Sequence, residues 1–547
     1  MHNACCLKIL CIVPLFVFVF VAFDLPTAVA ISTPPENALF APPSPEDSEW
    51  IQRAKTAAAK DKLVVQIDFA RLRTDVLFQR AIRPGLAHQP IRPITLSLSP
   101  NMPELTVITT SVKQSARGYI EWEGYIQGKR ESLVALIVTE GSDAAHQDAG
   151  LAGTIIVSKR TFRIRPDQRG THAIIEIDTS KFPAEGLPRS RKRPSIPTPS
   201  VGIERSSPLI PPSVSSGPHP LSPDPGYLLP ECQIDILVAY TTAAKNAMCM
   251  SCLDTIDKDI EHAVQLANMS YTASGVNQQL NLLNKPDASY ETCVLGFDLK
   301  QHCYNESGDL NTDLDNINKA QDPGIGLTDP AYPLKVVSQW RNSLSADLVA
   351  LWEQGPTDAG GNHTICGVSN TMFEDPPGTV HPDPLNAYSV VPRVCGVGQY
   401  SMAHEFAHLG AANHDRGSSG LVGLPADLPP YFYSFGYVLP PPTSGQQPMS
   451  IMAVPTSSCP ENANAHGIYC CSPGNCTRGM GFWSNPGSTY GGIETGATDA
   501  YNPTDNHLIL NTSAEFIANY RLPEVMPGVC KGTINVSPSP PSNLRVR

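Results

Sequence analysis

Three histidines and one glutamate between residues 404 and 414 constrain the fold of this chain more than any other feature. They stand in the sequence SMAHEFAHLGAANHD, residues 401–415. His404 and His408 are four residues apart, so on an α-helix their imidazoles share one face and can bind the same ion. His414 can join them only if the helix ends soon after His408 and the chain turns back. The spacing therefore predicts a helix, a turn and a three-histidine site.

The residue types of this motif indicate zinc chemistry. Neutral imidazole suits zinc at about 2.0–2.1 Å, and three protein ligands with one open position are typical of a catalytic rather than a structural site. Glu405 would lie beside the ion, where it can take a proton from a water whose pKa zinc lowers to about 7. With 14 histidines in 547 residues, chance places one at the offset of His414 about once in forty. The motif therefore predicts one catalytic Zn²⁺.

The stretch resembles the extended motif H-E-x-x-H-x-x-G-x-x-H of the metzincin zinc metallopeptidases. It is most similar to the reprolysin-like branch, in which an aspartate follows the third histidine as Asp415 does. Residues 450–453 resemble the Met-turn of that clan. Further stretches resemble the bacterial peptidyl-Asp metallopeptidases: 235–241, 346–351, 366–368, 388–391, 483–486 and 505–521. The resemblance covers residues 231–525. It implies an α/β (α+β) metzincin catalytic domain with a mixed sheet and an active-site helix, preceded by an all-β propeptide domain.

The resemblance also implies roles for individual residues. His404, His408 and His414 would hold the zinc ion, Glu405 would act as general base and then acid, and Met452 would pack beneath the site. An edge strand that pairs with an extended peptide would contain Gly367, Val368 and Ser369. The pocket for the side chain after the cleaved bond would be lined by Trp483, Ser484, Asn485 and Pro486. The peptidyl-Asp family cleaves on the amino side of acidic residues. We carry that preference over only as an expectation, because the sequence does not identify a basic residue that would bind the carboxylate of the substrate side chain.

Two positions depart from the family pattern. The family carries glycine three residues after the second histidine, usually with positive φ, and this chain has Ala411 there. Alanine in that conformation costs about 1–2 kcal/mol. Gly410 offers an alternative in which the turn begins one residue sooner. Val454 stands where relatives often have tyrosine, so that tyrosine is missing as an extra ligand or oxyanion donor. We expect His414 to ligate nonetheless.

Residues 1–30 predict a cleaved secretory signal. Lys8 precedes an apolar stretch from Ile9 to Phe23, and Ala28-Val29-Ala30 supplies an A-x-A cleavage pattern. The stretch is shorter than the roughly 20 residues that span a bilayer.

Three of the 15 cysteines lie in this segment, and the remaining twelve all follow residue 231. An exported chain with an even cysteine count predicts disulfide bonds. We expect a secreted protein, extracellular or periplasmic, with no membrane attachment after signal cleavage.

The sequence before the catalytic region divides into two parts. Period-two alternation within residues 31–188 predicts a β-rich domain with six strands: 63–70, 105–112, 118–126, 132–139, 153–165 and 172–178. The family resemblance implies that this domain is a propeptide. This block has no cysteine, so inhibition by it would need a carboxylate, a histidine or steric cover. Residues 189–230 are basic and then Pro-rich, which predicts an extended, cleavable linker. Composition alone leaves a processing linker and a plain interdomain linker about equally favoured. Residues 526–547 form a Pro/Ser-rich tail.

The net charge of the chain limits the kinds of partner that it is expected to bind. The net charge of −12 gives no basic field of the kind that nucleic acid requires. The expected partners are protein or peptide substrates, with the chain's own propeptide as an inhibitor. One alternative is a catalytically silent zinc-binding adhesion or interaction protein of metzincin fold, supported only by Ala411. Another is a hydrolase for a non-protein amide, which the predicted edge strand and Met-turn disfavour.

Overall fold

The computed structural model describes most of the chain between residues 40 and 521. The described residues are 40–41, 59–67, 93–99, 102–115, 117–139, 150–166, 172–189, 232–247, 255–285, 288–295, 300–322, 324–326, 329, 331–359, 363–371, 373–374, 379–380, 384–420, 433–443, 445–461, 463–479, 481–499 and 502–521. The predicted signal, the linker beyond residue 189 and the tail lie outside these ranges. Within the described residues, no helix combines the length and the apolar character that crossing a bilayer requires.

The β-rich block is a nine-stranded antiparallel sheet, in the order β1-β2-β9-β8-β7-β6-β5-β4-β3. Its strands are β1 Phe40–Ala41, β2 Ala59–Ile67, β3 Ile94–Leu96, β4 Leu105–Gln114, β5 Ile120–Ile126, β6 Lys129–Thr139, β7 Gly150–Val157, β8 Arg160–Pro166 and β9 His172–Ile177. Burial alternates at the start of β4, where Leu105 and Val107 are buried and Thr106 is half-buried. This is the period-two pattern that the sequence shows. A β-rich region before residue 189 is thereby confirmed.

One predicted strand is wrong in its extent. Residues 153–165 were expected to form a single strand, but they divide between β7 and β8, which pair antiparallel. The turn residues Ser158 and Lys159 both have left-handed backbones, with φ of 51° and 65°. Two successive positive φ values fit the two-residue hairpin turns whose twist matches paired strands. Such turns usually contain glycine or asparagine, so the residue types of this one conceal it in the sequence.

The second part of the chain contains a mixed five-stranded sheet, as predicted, in the order β11-β10-β14-β18-β15. Four strands are parallel to their neighbours, and β15 pairs antiparallel with β18 at the edge. The sheet strands are β10 Cys232–Tyr240, β11 Gln278–Leu282, β14 Leu348–Glu353, β15 Val368–Ser369 and β18 Tyr388–Pro392. Strand β14 is buried along its whole length, as expected for a strand covered on both faces.

Helices flank this sheet. They are α1 Thr242–Asn246, α2 Ile256–Ala273, α3 Leu310–Lys319, α4 Lys335–Leu344, α5 Arg393–Gly398, α6 Ser401–Leu409, α7 Arg416–Ser419 and α8 Asn506–Ile517. Short strands pair outside the main sheet: β12 Cys293–Leu295 with β13 Gln301–Cys303, β16 Phe373–Glu374 with β17 Thr379–Val380, β19 Gln447–Pro448 with β20 Cys476–Thr477, and β21 Thr489–Tyr490 with β22 Ile493–Glu494. In the sequence, Ile256, Ile260, Val264 and Ala267 recur at helical spacing, and α2 forms over these residues.

The nine-stranded sheet packs against α2, so the two parts of the chain share a core. Leu133 and Ile156 from the sheet lie in the same buried apolar cluster as Ile260 of α2. Polar contacts reinforce the packing, since Arg117 lies 2.8 Å from Asp257 in an ion pair. The long helix α2 is therefore covered on one side by the mixed sheet and on the other by the β-rich block.

Disulfide bonds cross-link the part of the chain after residue 231, as the even cysteine count predicts. Four bridges are described: Cys293–Cys303, Cys366–Cys395, Cys459–Cys470 and Cys471–Cys476. Cys232 is disulfide-bonded as well, whereas Cys249 and Cys252 lie outside the described residues. The bridge between Cys366 and Cys395 links the start of the β15 edge to α5. Helix α5 is followed directly by α6. The bridge thus joins the edge of the sheet to the helix that immediately precedes α6.

Candidate metal centre and cleft

Helix α6 presents the first two histidines. All nine of its residues are buried, and Tyr400 caps it with a left-handed backbone of φ 61°. The rings of His404 and His408 lie on one face, with centroids 4.8 Å apart. This arrangement follows from their spacing of four residues on a helix.

The turn after α6 begins at Ala411. This residue has φ 69°, whereas Gly410 has φ −98°. The alternative start at Gly410 is therefore wrong, and alanine takes the left-handed conformation that normally favours glycine. Its amide donates to the carbonyl of His408 at 3.0 Å, and the amide of Ala412 donates to that of Ala407 at 2.9 Å. These bonds close the helix and send the chain back toward its face.

The turn brings the third histidine to the other two. His414 Nε2 lies 3.1 Å from His404 Nε2 and 3.0 Å from His408 Nε2. Behind the cluster, His404 Nδ1 is 2.8 Å from the carbonyl of Ile451. His408 Nδ1 is likewise 2.8 Å from the carbonyl of Ala412. A carbonyl can only accept a hydrogen bond, so both Nδ1 atoms carry the proton and both Nε2 atoms present a lone pair to the centre.

This cluster fits a small divalent cation. Ligand atoms about 2.1 Å from a tetrahedral ion are about 3.4 Å apart, close to the separations observed here. Burial lowers the pKa of all three imidazoles, and for His408 the pKa falls to about 4. The neutral imidazoles at neutral pH are the form that binds zinc. The three side chains also form a group of close, buried metal-ligating atoms.

Glu405 lies beside the cluster on the same helix. Its Oε2 accepts a hydrogen bond from Ser369 Oγ at 2.7 Å, while its buried Oε1 has no hydrogen-bond partner among the residues that the structure describes. A Cβ atom on Gly367 would lie 2.5 Å from that Oε1, so the edge strand approaches the carboxylate more closely than any side chain allows. Burial and then the charge of Glu185 raise the pKa of Glu405 well above its ordinary value.

The predicted Met-turn lies beneath the histidines. Met452 is fully buried, and the carbonyl of Ile451 orients His404 as described. Asp415 ties this turn to the third histidine, because its Oδ2 accepts from the amide of Val454 at 2.9 Å. The same carboxylate caps α7 by accepting from the amide of Ser418. The aspartate after the third histidine therefore fixes His414 and the Met-turn relative to each other.

The edge of β15 is occupied by residues 184–189, which we call the cleft segment. The amide of Cys366 donates to the carbonyl of Ala184 at 3.0 Å, and that of Gly186 donates to the carbonyl of Gly367 at 2.9 Å. Arg189, the first residue of the predicted linker, forms a parallel bridge with Asn370. The cleft segment is thus paired as an added strand along residues 366–371.

The second predicted substrate-binding group has a different environment. Trp483 is fully buried and stacks on Tyr271 with ring centroids 5.2 Å apart. Ser484 Oγ donates to the carbonyl of Phe435 at 2.6 Å, and Asn485 donates to that of Ser274 at 2.7 Å. Pro486 is half-buried. The structure therefore brings together Gly367, Ser369, Glu405 and the histidines, and places the 483–486 stretch against the C-terminal end of α2.

One pair near the site, Glu185 and Arg478, has no signal in the sequence. Their side chains form a buried ion pair with 2.6 Å between Nη1 and Oε1. The two residues are 293 positions apart, and neither belongs to a motif, so only the folded chain brings them together.

Comparisons with known proteins find similarity to peptidases. Residues 231–466 match the family described as Reprolysin_5, metallo-peptidase family M12. A protein of Stenotrophomonas maltophilia named peptidyl-Asp metalloendopeptidase is 26% identical over 424 residues, which cover 76% of this chain and 80% of the relative. A protein of the same name from Xanthomonas campestris pv. campestris is 25% identical over 368 residues, covering 67% of each.

Two solved structures are similar over part of the chain. One is metalloproteinase-II from Bacteroides fragilis, with a TM-score of 0.32, 9% identity and coverage of 62% of this chain and 86% of that one. The other is a chaperone–substrate complex, with a TM-score of 0.32, 16% identity and coverage of 54% and 40%. At these TM-scores neither similarity carries an argument about the fold.

Proposed function

We propose that this chain, which is similar to the reprolysin-like metallopeptidases and to proteins named peptidyl-Asp metalloendopeptidase, is a secreted zinc metalloendopeptidase made with an N-terminal inhibitory propeptide. The observation that carries the proposal is the convergence of three buried Nε2 atoms beside Glu405. The donor set is imidazole alone, with lone pairs directed to one point. A catalytic zinc site has the same three-ligand composition and leaves a position open for water or substrate.

In this proposal His404, His408 and His414 hold the ion. A zinc ion held by these residues would supply Lewis acidity, which lowers the pKa of water and polarises a peptide carbonyl. Glu405 takes the proton of the attacking water and delivers it to the leaving amine. Its Oε1, which accepts no hydrogen bond from the described residues, can take that proton, and the Ser369 hydrogen bond holds Oε2. The backbone carbonyls behind His404 and His408 keep these imidazoles in the tautomer that ligates.

The edge of β15 is the proposed binding site for substrate. An extended peptide can add to such an edge through backbone hydrogen bonds, whatever its side chains. The cleft segment, which pairs with this edge through four described backbone hydrogen bonds, supports the proposal. Gly367 keeps the paired peptide close to Glu405, because any side chain at that position would meet the carboxylate.

The proposed specificity is cleavage on the amino side of acidic residues. Its support is similarity to the proteins named peptidyl-Asp metalloendopeptidase.

The proposed latency follows from the position of the cleft segment. Residues 184–189 cover the edge that substrate would need, so the β-rich block inhibits until the chain is cut in the 189–230 linker. The absence of cysteine from residues 31–188 leaves a carboxylate, a histidine or steric cover as the inhibiting element. The predicted signal and the disulfides support export of the chain.

The experiment compares the full chain before and after cleavage in the linker, with casein and a peptide library as substrates. We expect cleaved, zinc-loaded protein to hydrolyse peptides, chelator to abolish the activity, and Glu405→Ala to abolish it while zinc stays bound. The uncut chain should be inactive. Stoichiometric zinc without any hydrolysis would instead support the silent binding protein. His414 lies with the other two histidines despite Ala411, which removes that alternative's one support in the sequence.

A further inference from the structure

Arg478 and Glu185 join two parts of the chain that processing would separate. Arg478 belongs to the predicted catalytic domain, and Glu185 belongs to the cleft segment. Their side chains are 4% and 0% exposed, and Nη1 lies 2.6 Å from Oε1. Ser401 Oγ donates to the same carboxylate oxygen at 2.7 Å. The other oxygen, Oε2, is buried and has no hydrogen-bond partner within the described part of the chain.

Arg478 is held in place by the walls of the cleft. Its Nη1 donates to the carbonyl of Gln399 at 2.6 Å, and its Nη2 donates to that of Ala453 at 3.3 Å. Gln399 lies just before the active-site helix α6, and Ala453 directly follows Met452. The guanidinium therefore bridges the start of the helix that carries the histidines and the turn beneath them. Both of these hydrogen bonds are made within the predicted catalytic domain.

Glu185 reaches Arg478 from a strand-paired backbone. Its neighbours Ala184 and Gly186 make the hydrogen bonds to Cys366 and Gly367, and successive side chains of an extended strand point to opposite sides. The Glu185 side chain is the one directed to the start of α6, where it accepts the hydroxyl bond already described. A peptide paired along the same edge can therefore place a side chain in this pocket.

Loss of the cleft segment leaves a buried cation without its carboxylate. A buried charge deprived of its partner is strongly unfavourable, and an acidic side chain is the group that restores the pairing. Arg163, another buried cation nearby, donates to the carbonyl of Val397. Because Arg163 lies on β8 of the β-rich block, it would leave with the propeptide. Arg478 would remain, with Ser401 beside it.

We propose that Arg478 is the specificity-determining residue that binds the aspartate or glutamate side chain of a peptide substrate, and that Glu185 occupies this pocket in the uncut chain. The inference rests on the proposed peptidase function and adds to it the residue that reads the substrate. Arginine suits this role, because its guanidinium always carries charge and matches the geometry of a carboxylate.

The test measures kcat/KM on the full chain after linker cleavage. The substrates are matched peptides with Asp, Asn, Glu or Gln after the cleaved bond, and the variants are Arg478→Gln and Arg478→Lys. Wild type should prefer Asp over Asn by about 100-fold, since truncating one partner of a buried charge pair has effects of this size. Arg478→Gln should bring the ratio close to one, mainly by slowing the Asp peptide. Arg478→Lys should keep part of the preference.

The control is Arg341→Gln, another buried arginine, whose guanidinium binds the carbonyls of Ala346, Asp347 and Pro384. It should keep the Asp/Asn ratio of wild type. An unchanged ratio in Arg478→Gln overturns the proposal and leaves Glu185–Arg478 as a contact that only joins the two parts. A wild type that cleaves peptides without preferring Asp overturns it too. Absence of any cleavage is a separate result, because it rejects the peptidase function itself.

A second measurement does not need a folded Arg478 variant. A synthetic peptide covering residues 182–189 should inhibit the cleaved wild-type chain, and the same peptide with Glu185→Gln should inhibit at least about 10-fold more weakly. A peptide with Leu187→Ala serves as control, because Leu187 is 76% exposed. Equal inhibition by the unchanged peptide and the Glu185→Gln peptide contradicts the proposed pocket.

Discussion

Ser369 Oγ lies 2.7 Å from Glu405 Oε2, so the edge strand that would bind substrate also positions the carboxylate that would move the proton. Ser369 is fully buried, as is Glu405. The Ser369 hydroxyl donates this hydrogen bond and Glu405 Oε2 accepts it, so Oε2 stays turned toward the strand. The other carboxylate oxygen, Oε1, is left for the reaction. Substrate binding and proton transfer are thereby coupled through two adjacent elements, β15 and α6.

Ser369→Ala should lower kcat/KM about 10- to 100-fold, because a hydrogen bond to a charged group is worth about 1.5–3 kcal/mol. The loss should appear in kcat more than in KM, since the peptide still pairs with the backbone of β15. Ser369→Thr keeps the hydroxyl and should recover much of the rate. Steady-state kinetics of the cleaved chain measure both. A Thr variant as slow as the Ala variant would mean that the strand's packing, and not the hydroxyl, matters.

Gly367→Ala should lower kcat/KM by more than about 100-fold. The added Cβ would lie 2.5 Å from Glu405 Oε1 and 2.8 Å from its Cγ, so either the carboxylate or the edge strand must move. A displacement of this kind near reacting groups costs about two orders of magnitude. The control is Gly326→Ala, where a Cβ would meet no atom within 4 Å. Full activity in Gly367→Ala would show that Glu405 works from another position.

The histidine site could be predicted because its information is local. Two residues four apart on a helix must share a face, and His414 follows after a short turn of chain. The helix α2 and the buried strand β14 were predictable for the same reason, since each has its own local pattern of apolar residues. The hairpin at Ser158 and Lys159 was not, because residue types that rarely take positive φ form its turn.

The Arg478–Glu185 pair could not be predicted, for a different reason. Two residues 293 positions apart produce no periodic pattern in the sequence. Arg478 follows a cysteine-rich stretch and cannot be distinguished there from an exposed arginine. Its burial results from the docking of the β-rich block on α2 and from pairing along β15. Ala411 could be predicted only in part. The sequence shows that it replaces the family's glycine, but its φ of 69° follows from the path that brings His414 to the other two histidines.

Ala411→Gly should stabilise the fold by about 1 kcal/mol. Alanine at φ 69° bears a strain of about 1–2 kcal/mol, and the greater freedom of glycine in the unfolded chain offsets part of the gain. The matched control is Ala412→Gly, one residue later and outside the left-handed region, which should destabilise. Denaturant unfolding of the zinc-loaded chain measures both. A destabilised Ala411→Gly would indicate that the methyl group contributes more through packing than it costs in strain.

His262 should make the uncut chain less stable in mild acid. It lies on α2 against the β-rich block, with Nε2 2.7 Å from Thr154 Oγ1 and 3.2 Å from an Arg163 nitrogen. Burial and then the charge of Arg163 lower its pKa to about 3. Between that value and the ordinary pKa of about 6.5, only the unfolded chain binds the proton, so stability falls as pH drops through this window. This one group should cost about 2 kcal/mol between pH 7 and pH 5.

Denaturant unfolding of the uncut chain at pH 7, 6 and 5 tests this prediction. The wild type should lose about 2 kcal/mol more over that range than His262→Gln, because glutamine keeps polar contacts to Thr154 but takes up no proton. His466→Gln, at an exposed position, should follow the wild type. Identical pH slopes for wild type and His262→Gln would mean that Arg163 moves away and lets the imidazole charge in place. Acid would then not loosen the β-rich block through this contact, and its release would depend on cleavage of the linker alone.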